Sequence, residues 1–520
     1  MTAKKIGFVT GIILFVVTLA LPVFDGFITL AEEMSRSAGG SADPFQLASS
    51  MQTVLAILLL MASWWMTEAI PLPATALLPA ILLPLMHVTG LHDEKLAAFT
   101  FRTVLINYAN PVIYLFLGGF LIAGAMQKWK VDRRFTLWFL TRGNIANDSR
   151  KVLFGIMAVT AFLSMWISDT ATAAMMLPLG LGILTLLGAK PGESRYGTAL
   201  MLGIAWASLI GGIGTMIGTP PNGIAIGILN TAFADDPSFQ RITFFDWMKF
   251  GIPYVVLFLP VAWFVALKMN PPEFLTIPGG KERMEEERSK LGPLSKGEKR
   301  TIVIFFLAVL SWVSNPFWET ILPSAIASQL RWVDEYMIGL TFGVIMFIVP
   351  VSLREFTFVL EWKDARVVNW GTLILFGGGI ALSDAMFRTG LATWIATNFV
   401  SLLGTPSTVV MIFAVVLLVD FLTEITSNTA VTSMMVPILI SIAIRTGEDP
   451  IAITIAAALA ASLAFMLPVA TPPNALVYGT GYIRIKDMIR SGFVLDILGW
   501  IFTVFVLVVI AGGIFGVVSF

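Results

Sequence analysis

Two short strings carry polar side chains into the most apolar stretches of this chain: Ser168-Asp169-Thr170 and Ser427-Asn428-Thr429. Each is followed by a second string, Gly218-Thr219-Pro220-Pro221-Asn222 and Ala470-Thr471-Pro472-Pro473-Asn474. Ser, Thr, Asp and Asn cap a following helix, so an apolar helix is expected to begin at each of the first strings. A helix that begins inside an apolar medium aims its unbonded N–H groups and positive dipole end at the break, which favours an anion. The hydroxyls and the amide add hydrogen bonds to a carboxylate or sulfate without burying a fixed cation. Ser164 lies four residues before Ser168 and Thr423 four before Ser427, so each pair shares a helix face. Those hydroxyls, with the carbonyls freed where Thr-Pro-Pro-Asn interrupts a helix, form an oxygen cage suited to a hard monovalent cation such as Na⁺. A lone Ser or Thr on a helix more often bonds its own backbone, and a lone Pro only kinks. Four breaks paired in register reverse that balance.

The acids are read separately. Asp169 stands where the other copy has the neutral Asn428, and a buried charge in an apolar segment is costly and usually functional. Cation ligation is the first reading for it, proton coupling the second, and a neutral hydrogen-bonding role the third. Asp420 and Glu424, four residues apart, have no acidic counterparts at Ala161 and Met165. They are expected on a wet face or the outer rim, with Glu424 orienting the hairpin tip as a weaker alternative. Glu68, beside Trp64 and Trp65, and the two histidines His87 and His92 read as interfacial. Gly211-Gly212-Ile213-Gly214 lacks the GxGxxG spacing of a dinucleotide loop and reads as close helix packing or an unwound loop.

The elements that must position these groups follow from composition. The 520 residues are 57% hydrophobic and 13% charged, with a mean hydropathy of +0.85, which marks an integral membrane protein. Basic and acidic residues balance at 33 each, so no global field points to nucleic acid. There is no cysteine, which removes disulfides, thiolate metal sites and a Cys nucleophile. No nucleophile and base pair suggests an enzyme. Full spans are expected near 6–24, 51–67, 71–88, 104–126, 251–268, 301–319, 336–350 and 493–518. The first is read as a retained helix, because no small-x-small cleavage site follows it. Segments 152–187 and 407–443 read as re-entrant hairpins, and 198–231 and 451–480 as broken helices. The copies stand 259 residues apart at the first strings (427 − 168), and the earlier pair GGFLIAGAM from Gly118 and GGIALSDAM from Gly378 keeps a similar offset.

Lys and Arg place the N-terminus and the mixed-charge linker 269–300 in the cytoplasm, and the Asp25–Asp43 and Asp235–Asp236 connections and the C-terminus outside. Counted that way, about eleven spans emerge and the two repeats are inverted. The expected fold is thus an all-α integral membrane protein in the cell (inner) membrane, with about 11 transmembrane helices plus two re-entrant hairpins.

The paired hairpin strings, each followed by a (G/A)-T-P-P-N break, resemble the divalent anion/sodium symporter family across nearly the whole chain. The resemblance implies a homodimeric elevator-type transporter for a small di- or tricarboxylate anion or sulfate. It also implies scaffold helices over 1–110 and 232–369, repeat cores over 111–231 and 370–482, and a C-terminal helix over 483–520. Carried over by position, a first sodium site draws on Ser164, Ser168, Asp169 and the Gly218 carbonyl, and a second on Thr423, Thr426, Asn428 and the Ala470 carbonyl. Substrate meets Asp169, Thr170, Thr219, Pro220, Asn428, Thr429, Thr471 and Pro472. Asp169 departs from the family's Asn. The expected function is sodium-coupled secondary transport of C4-dicarboxylates such as succinate. Its rivals are a sodium-independent exchanger and a proton-coupled transporter; a channel is disfavoured because two half-sites, not a pore ring, are present.

Overall fold

Prolines and short polar side chains set where the helices of this chain start. Asp43 before Pro44, Asn110 before Pro111 and Asp449 before Pro450 each accept a hydrogen bond from the second helical N–H, with Pro at the first position where no donor is needed. The computed structural model describes residues 3–511 apart from 41, 93–94, 143–144, 235, 237–238 and 404–406, so Asp235 and the end of the 493–518 span lie outside the described residues.

The first half opens with α1 (Ala3–Ala20), α2 (Asp25–Ser37), α3 (Pro44–Thr67), α4 (Leu72–Ala76) and α5 (Leu78–Leu85). A small antiparallel hairpin of β1 (Thr89–His92) and β2 (Lys95–Ala98) follows, in register Thr89 to Ala98. Next come α6 (Phe101–Asn107), α7 (Pro111–Lys128), α8 (Val131–Leu140), α9 (Ser149–Ser164), α10 (Asp169–Leu186), α11 (Arg195–Gly212) and α12 (Pro220–Ala232). The connection between halves holds α13 (Phe244–Met269), α14 (Gly280–Ser289), α15 (Lys296–Ser314), α16 (Trp318–Ile321), α17 (Ser324–Leu330), α18 (Glu335–Ile348) and the short pair β3 (Pro350–Ser352) and β4 (Thr357–Phe358). The second half runs α19 (Trp370–Thr389), α20 (Leu391–Leu403), α21 (Thr408–Ile425), α22 (Asn428–Thr446), α23 (Pro450–Ala460), α24 (Pro472–Tyr478) and α25 (Ile485–Val506).

The four interruptions fall where the sequence places them: α9/α10, α11/α12, α21/α22 and α23/α24. The core lies around the broken helices. α11 is buried on every side from Tyr196 to Gly212, and α23 likewise from Ala452 to Ala460. α1 and α15 instead leave Ile13, Val16, Val303, Phe306 and Leu310 exposed, the pattern of helices at an apolar periphery. Gly118 on α7 lies against the Gly339 backbone of α18, and Gly378 on α19 against the Ala76 backbone of α4, each too close for a Cβ. The repeated glycine string therefore serves the same close helix approach in both halves.

Several expectations are revised. Among the described residues nine helices are long and apolar enough to cross a membrane, beside four shorter apolar ones over 72–85, 335–348, 391–402 and 450–460; two of the nine, α10 and α22, are arms of the expected hairpins, which leaves seven for the eleven spans expected beside them. The 104–126 span breaks between α6 and α7 because Pro111 has no N–H to continue the helix, and 71–88 breaks between α4 and α5 ahead of Pro79. Helices α2, α8, α17 and α20 stand where no element was expected, and α19, long and apolar enough to cross a membrane, falls outside every expected span although it carries the Gly378 string. The 269–300 linker is more than a solvated strand of chain. Its α14 packs on α8, with Arg133 to Glu287 at 2.8 Å, and Arg134 holds Glu298 at 2.6 Å and the Leu291 and Gly292 carbonyls. Glu68 ends α3, exposed and 3.7 Å from Lys4, while His87 and His92 are exposed.

Candidate substrate and cation site

In the first half, Ser168 caps α10 by accepting the Ala171 N–H at 3.4 Å. Asp169 folds over that helix start: Oδ1 accepts the Thr170 N–H at 2.7 Å, and Oδ2 faces the Thr219 hydroxyl at 3.5 Å. The carboxylate thus joins the hairpin tip to the break between α11 and α12. Ser164, fully buried, donates to the Ser208 carbonyl of α11 at 2.6 Å and keeps its lone pairs free to accept or ligate. Gly218 sits against the Ser164 carbonyl and the Gly212 backbone, where any Cβ would overlap. Ser164, Asp169, Gly218 and Thr219 are therefore gathered in one buried place, and the break from 211 to 219 is buried throughout.

The second half repeats the plan with different chemistry. The Thr423 hydroxyl reaches the Asn428 Oδ1 at 2.6 Å and the Ala461 carbonyl at 3.1 Å, echoing Ser164 on Ser208. Ser427 caps α22 by position, without a side-chain bond. Thr471 caps α24 by accepting the Asn474 N–H at 3.4 Å, whereas Thr219, turned to Asp169, makes no such bond. The Thr426 hydroxyl donates to the Trp65 carbonyl of α3 at 3.5 Å, so the side chain of this expected ligand points away from Thr423 and Asn428 and only its backbone stays beside them. Asn428 and Thr429 are buried, Thr170 and Pro220 half-buried, and Pro472 exposed.

The wet-face reading of Asp420 and Glu424 is overturned: they are 1% and 2% exposed. The second break frees three consecutive N–H groups, one at the buried Phe465 and two at the half-buried Met466 and Leu467, and donors taken from water must be satisfied. Glu424 accepts from Met466 at 2.7 Å and Leu467 at 2.9 Å, and Asp496 of α25 accepts from Phe465 at 3.2 Å. The first half makes the same cross-link in the opposite sense, the Thr215 hydroxyl donating to the carbonyl of Met165, the position that matches Glu424. Asp496 and Thr215 carry no sequence signal by themselves. Both Asp420 oxygens lack a hydrogen-bond partner among the described residues.

The halves interlock. α10 packs on α24 and α22 on α12, so the second arm of each hairpin lies against a helix that flanks the other half's break. The arrangement can present two helix N-termini to one anion and two oxygen-rich breaks to small cations.

An all-α membrane protein with duplicated, broken helices meeting at a polar centre is a secondary transporter by class. Residues 42–517 match the family described as the sodium:sulfate symporter transmembrane region, and the chain belongs to that family. It is 36% identical over 530 residues to the sodium-dependent dicarboxylate transporter SdcS of Staphylococcus saprophyticus, covering 99% of this chain and 92% of that protein. The Staphylococcus aureus protein of the same name is 36% identical over 469 residues, 87% of this chain and 84% of its own. Among solved structures, the Alcanivorax borkumensis YdaH transporter aligns over 88% of this chain and 98% of its own with a TM-score of 0.55 at 15% identity. Neisseria gonorrhoeae MtrF aligns over 86% and 96% with a TM-score of 0.54 at 13% identity. These two likenesses concern the fold alone.

Proposed function

We propose that this protein carries a small dicarboxylate such as succinate across the cell membrane, driven by sodium. The two capped helix starts at Asp169 and Asn428, one in each half, carry the reading, because two dipole ends with hydroxyls at Thr170 and Thr429 suit the two carboxylates of one dianion. Two relatives at 36% identity are named sodium-dependent dicarboxylate transporters, which supports both substrate class and coupling ion. Sodium is a co-substrate here. One ion is assigned to Ser164, Ser168, Asp169 and the Gly218 carbonyl, and a second to Thr423, Asn428 and the backbone of Thr426 and Ala470. Asp169 supplies a fixed negative charge that tightens the first site and repels the dianion unless a cation is bound there.

The larger reading extends to a homodimer. In it the repeat cores over 111–231 and 370–482, related by inversion, slide as an elevator against scaffold helices over 1–110 and 232–369, with the helix over 483–520 closing the chain. In the same reading the N-terminus with Lys4 and Lys5 and the Lys/Arg-containing 269–300 linker lie in the cytoplasm of an inner-membrane protein, and the C-terminus lies outside; the positive-inside bias supports it.

Uptake of labelled succinate into proteoliposomes tests the function. Accumulation on an inward sodium gradient is expected, with none when potassium replaces sodium, and competition by malate, 2-oxoglutarate, citrate and sulfate ranks the anions. Counterflow without sodium, and no net uptake on a sodium gradient, would establish an exchanger instead.

A further inference from the structure

The Asn that ends each Thr-Pro-Pro-Asn string turns its side chain back into the break that precedes it. Asn222 Nδ2 donates to the Gly212 carbonyl at 3.0 Å and the Thr215 carbonyl at 2.8 Å. Asn474 Nδ2 donates to the Ala464 carbonyl at 2.9 Å and the Leu467 carbonyl at 3.0 Å. Every residue of the second set lies the same 252 positions after its counterpart in the first (474 − 222), so both halves make one and the same staple. Both side chains are 0% exposed. Two carbonyl acceptors on one side fix which end of each amide is nitrogen. Each Oδ1 then has no partner among the described residues, so the amide is held by its donors alone.

The need is physical. A helix that stops leaves its last carbonyls without donors, and here the next helix opens with two prolines, which have none to offer. An Asn at the third position of the following helix supplies a hydrogen to each of two such carbonyls: the Gly212 and Ala464 carbonyls take it, and the Thr215 and Leu467 carbonyls take it beside the backbone N–H of Gly218 at 3.4 Å and of Ala470 at 3.2 Å. Between the stapled carbonyls and that Asn lie Gly218 and Ala470, the residues whose carbonyls are assigned to sodium.

We propose that Asn222 and Asn474 are positioning residues, each fixing the path of its own break so that the Gly218 or Ala470 carbonyl is presented to a cation. This rests on the sodium sites of the proposed function, and its test separates the two. The chain has no cysteine, so single cysteines report each break: Met216→Cys in the first and Leu463→Cys in the second, both at 0% exposure. In full-length protein in proteoliposomes, Asn222→Ala is expected to raise maleimide labelling of Met216→Cys by about tenfold and leave Leu463→Cys unchanged, and Asn474→Ala to do the reverse. The sodium half-saturation of uptake rises in both variants, while a merely less stable protein would lose maximal rate at an unchanged half-saturation. If the alanine variants do not fold, Asn222→Asp and Asn474→Asp keep the shape, remove both donors and are read the same way. Unchanged labelling in a variant's own break, or an equal rise in both breaks, overturns the staple. Wild-type uptake indifferent to sodium refutes the proposed function and leaves the labelling comparison to decide the staple.

Discussion

At the level of single residues, the two copies differ where the geometry differs. The first break has Gly218 and the second Ala470 because a Cβ at 218 would run into the Ser164 carbonyl and the Gly212 backbone, whereas the second break already houses one. Gly218→Ala should therefore overpack its site by about 1–3 kcal/mol, lowering the melting temperature in detergent and abolishing sodium stimulation of uptake. Ala470→Gly should cost no more than roughly 0.5–1 kcal/mol and leave transport measurable. Asp169 against Asn428 is the sharper difference. Its carboxylate draws the Thr219 hydroxyl toward it, while Asn428 pairs with Thr423 inside its own hairpin. Asp169→Asn removes the fixed charge at nearly constant shape. The sodium half-saturation should rise several-fold with the succinate half-saturation at saturating sodium little changed, as sodium titrations of uptake would show; an unaltered sodium curve removes Asp169 from the cation site.

Among the elements, the second break is held by carboxylates and the first by a hydroxyl. Glu424→Ala leaves two half-buried N–H groups, of Met466 and Leu467, without their acceptor, at about 1–3 kcal/mol together, more than the loss expected from Thr215→Ala, which removes one donor from a carbonyl. Thermal unfolding of the two variants side by side should show the larger drop for Glu424→Ala, and similar drops would mean that Glu424 is not the second break's clamp. What the sequence discloses about these elements depends on how local the cause is. The four breaks, their capping residues and the glycine contacts are legible because Pro, Gly and short polar side chains act on their own backbone. The burial of Glu424 is not, since an acid four residues from Asp420 reads as part of a wet face unless one knows that unbonded N–H groups of a distant segment lie opposite it. Thr426 misleads for a related reason: its spacing puts it in the hairpin tip, but its rotamer is decided by the Trp65 carbonyl on another helix. Helices α2, α8 and α20 escaped notice because they are short or of mixed polarity, below the length that marks a span.

For the molecule as a whole, the question is whether the duplication makes one site or two. A protein with equivalent halves could in principle carry substrate independently through each. The packing argues against that, because α10 packs on α24 and α22 on α12, so the hairpin of each half is seated on a helix of the other. A dianion gripped at both ends loses one carboxylate's partners when either hairpin tip is altered, and the remaining end cannot compensate. Thr170→Ala and Thr429→Ala should then each raise the succinate half-saturation by about tenfold, corresponding to a hydrogen bond of roughly 1.5 kcal/mol to a charged group. Two independent sites predict something different: each variant would keep about half the maximal rate at the wild-type half-saturation, and only the double variant would fail. Initial-rate curves for the wild type and both single variants distinguish these outcomes, and biphasic curves in the single variants would show that the halves work separately. The shared site also requires that Thr170 and Thr429 affect the same substrate molecule, so protection of Thr170→Cys from maleimide by succinate should weaken when Thr429 is replaced by Ala, although the two residues lie in opposite halves of the chain.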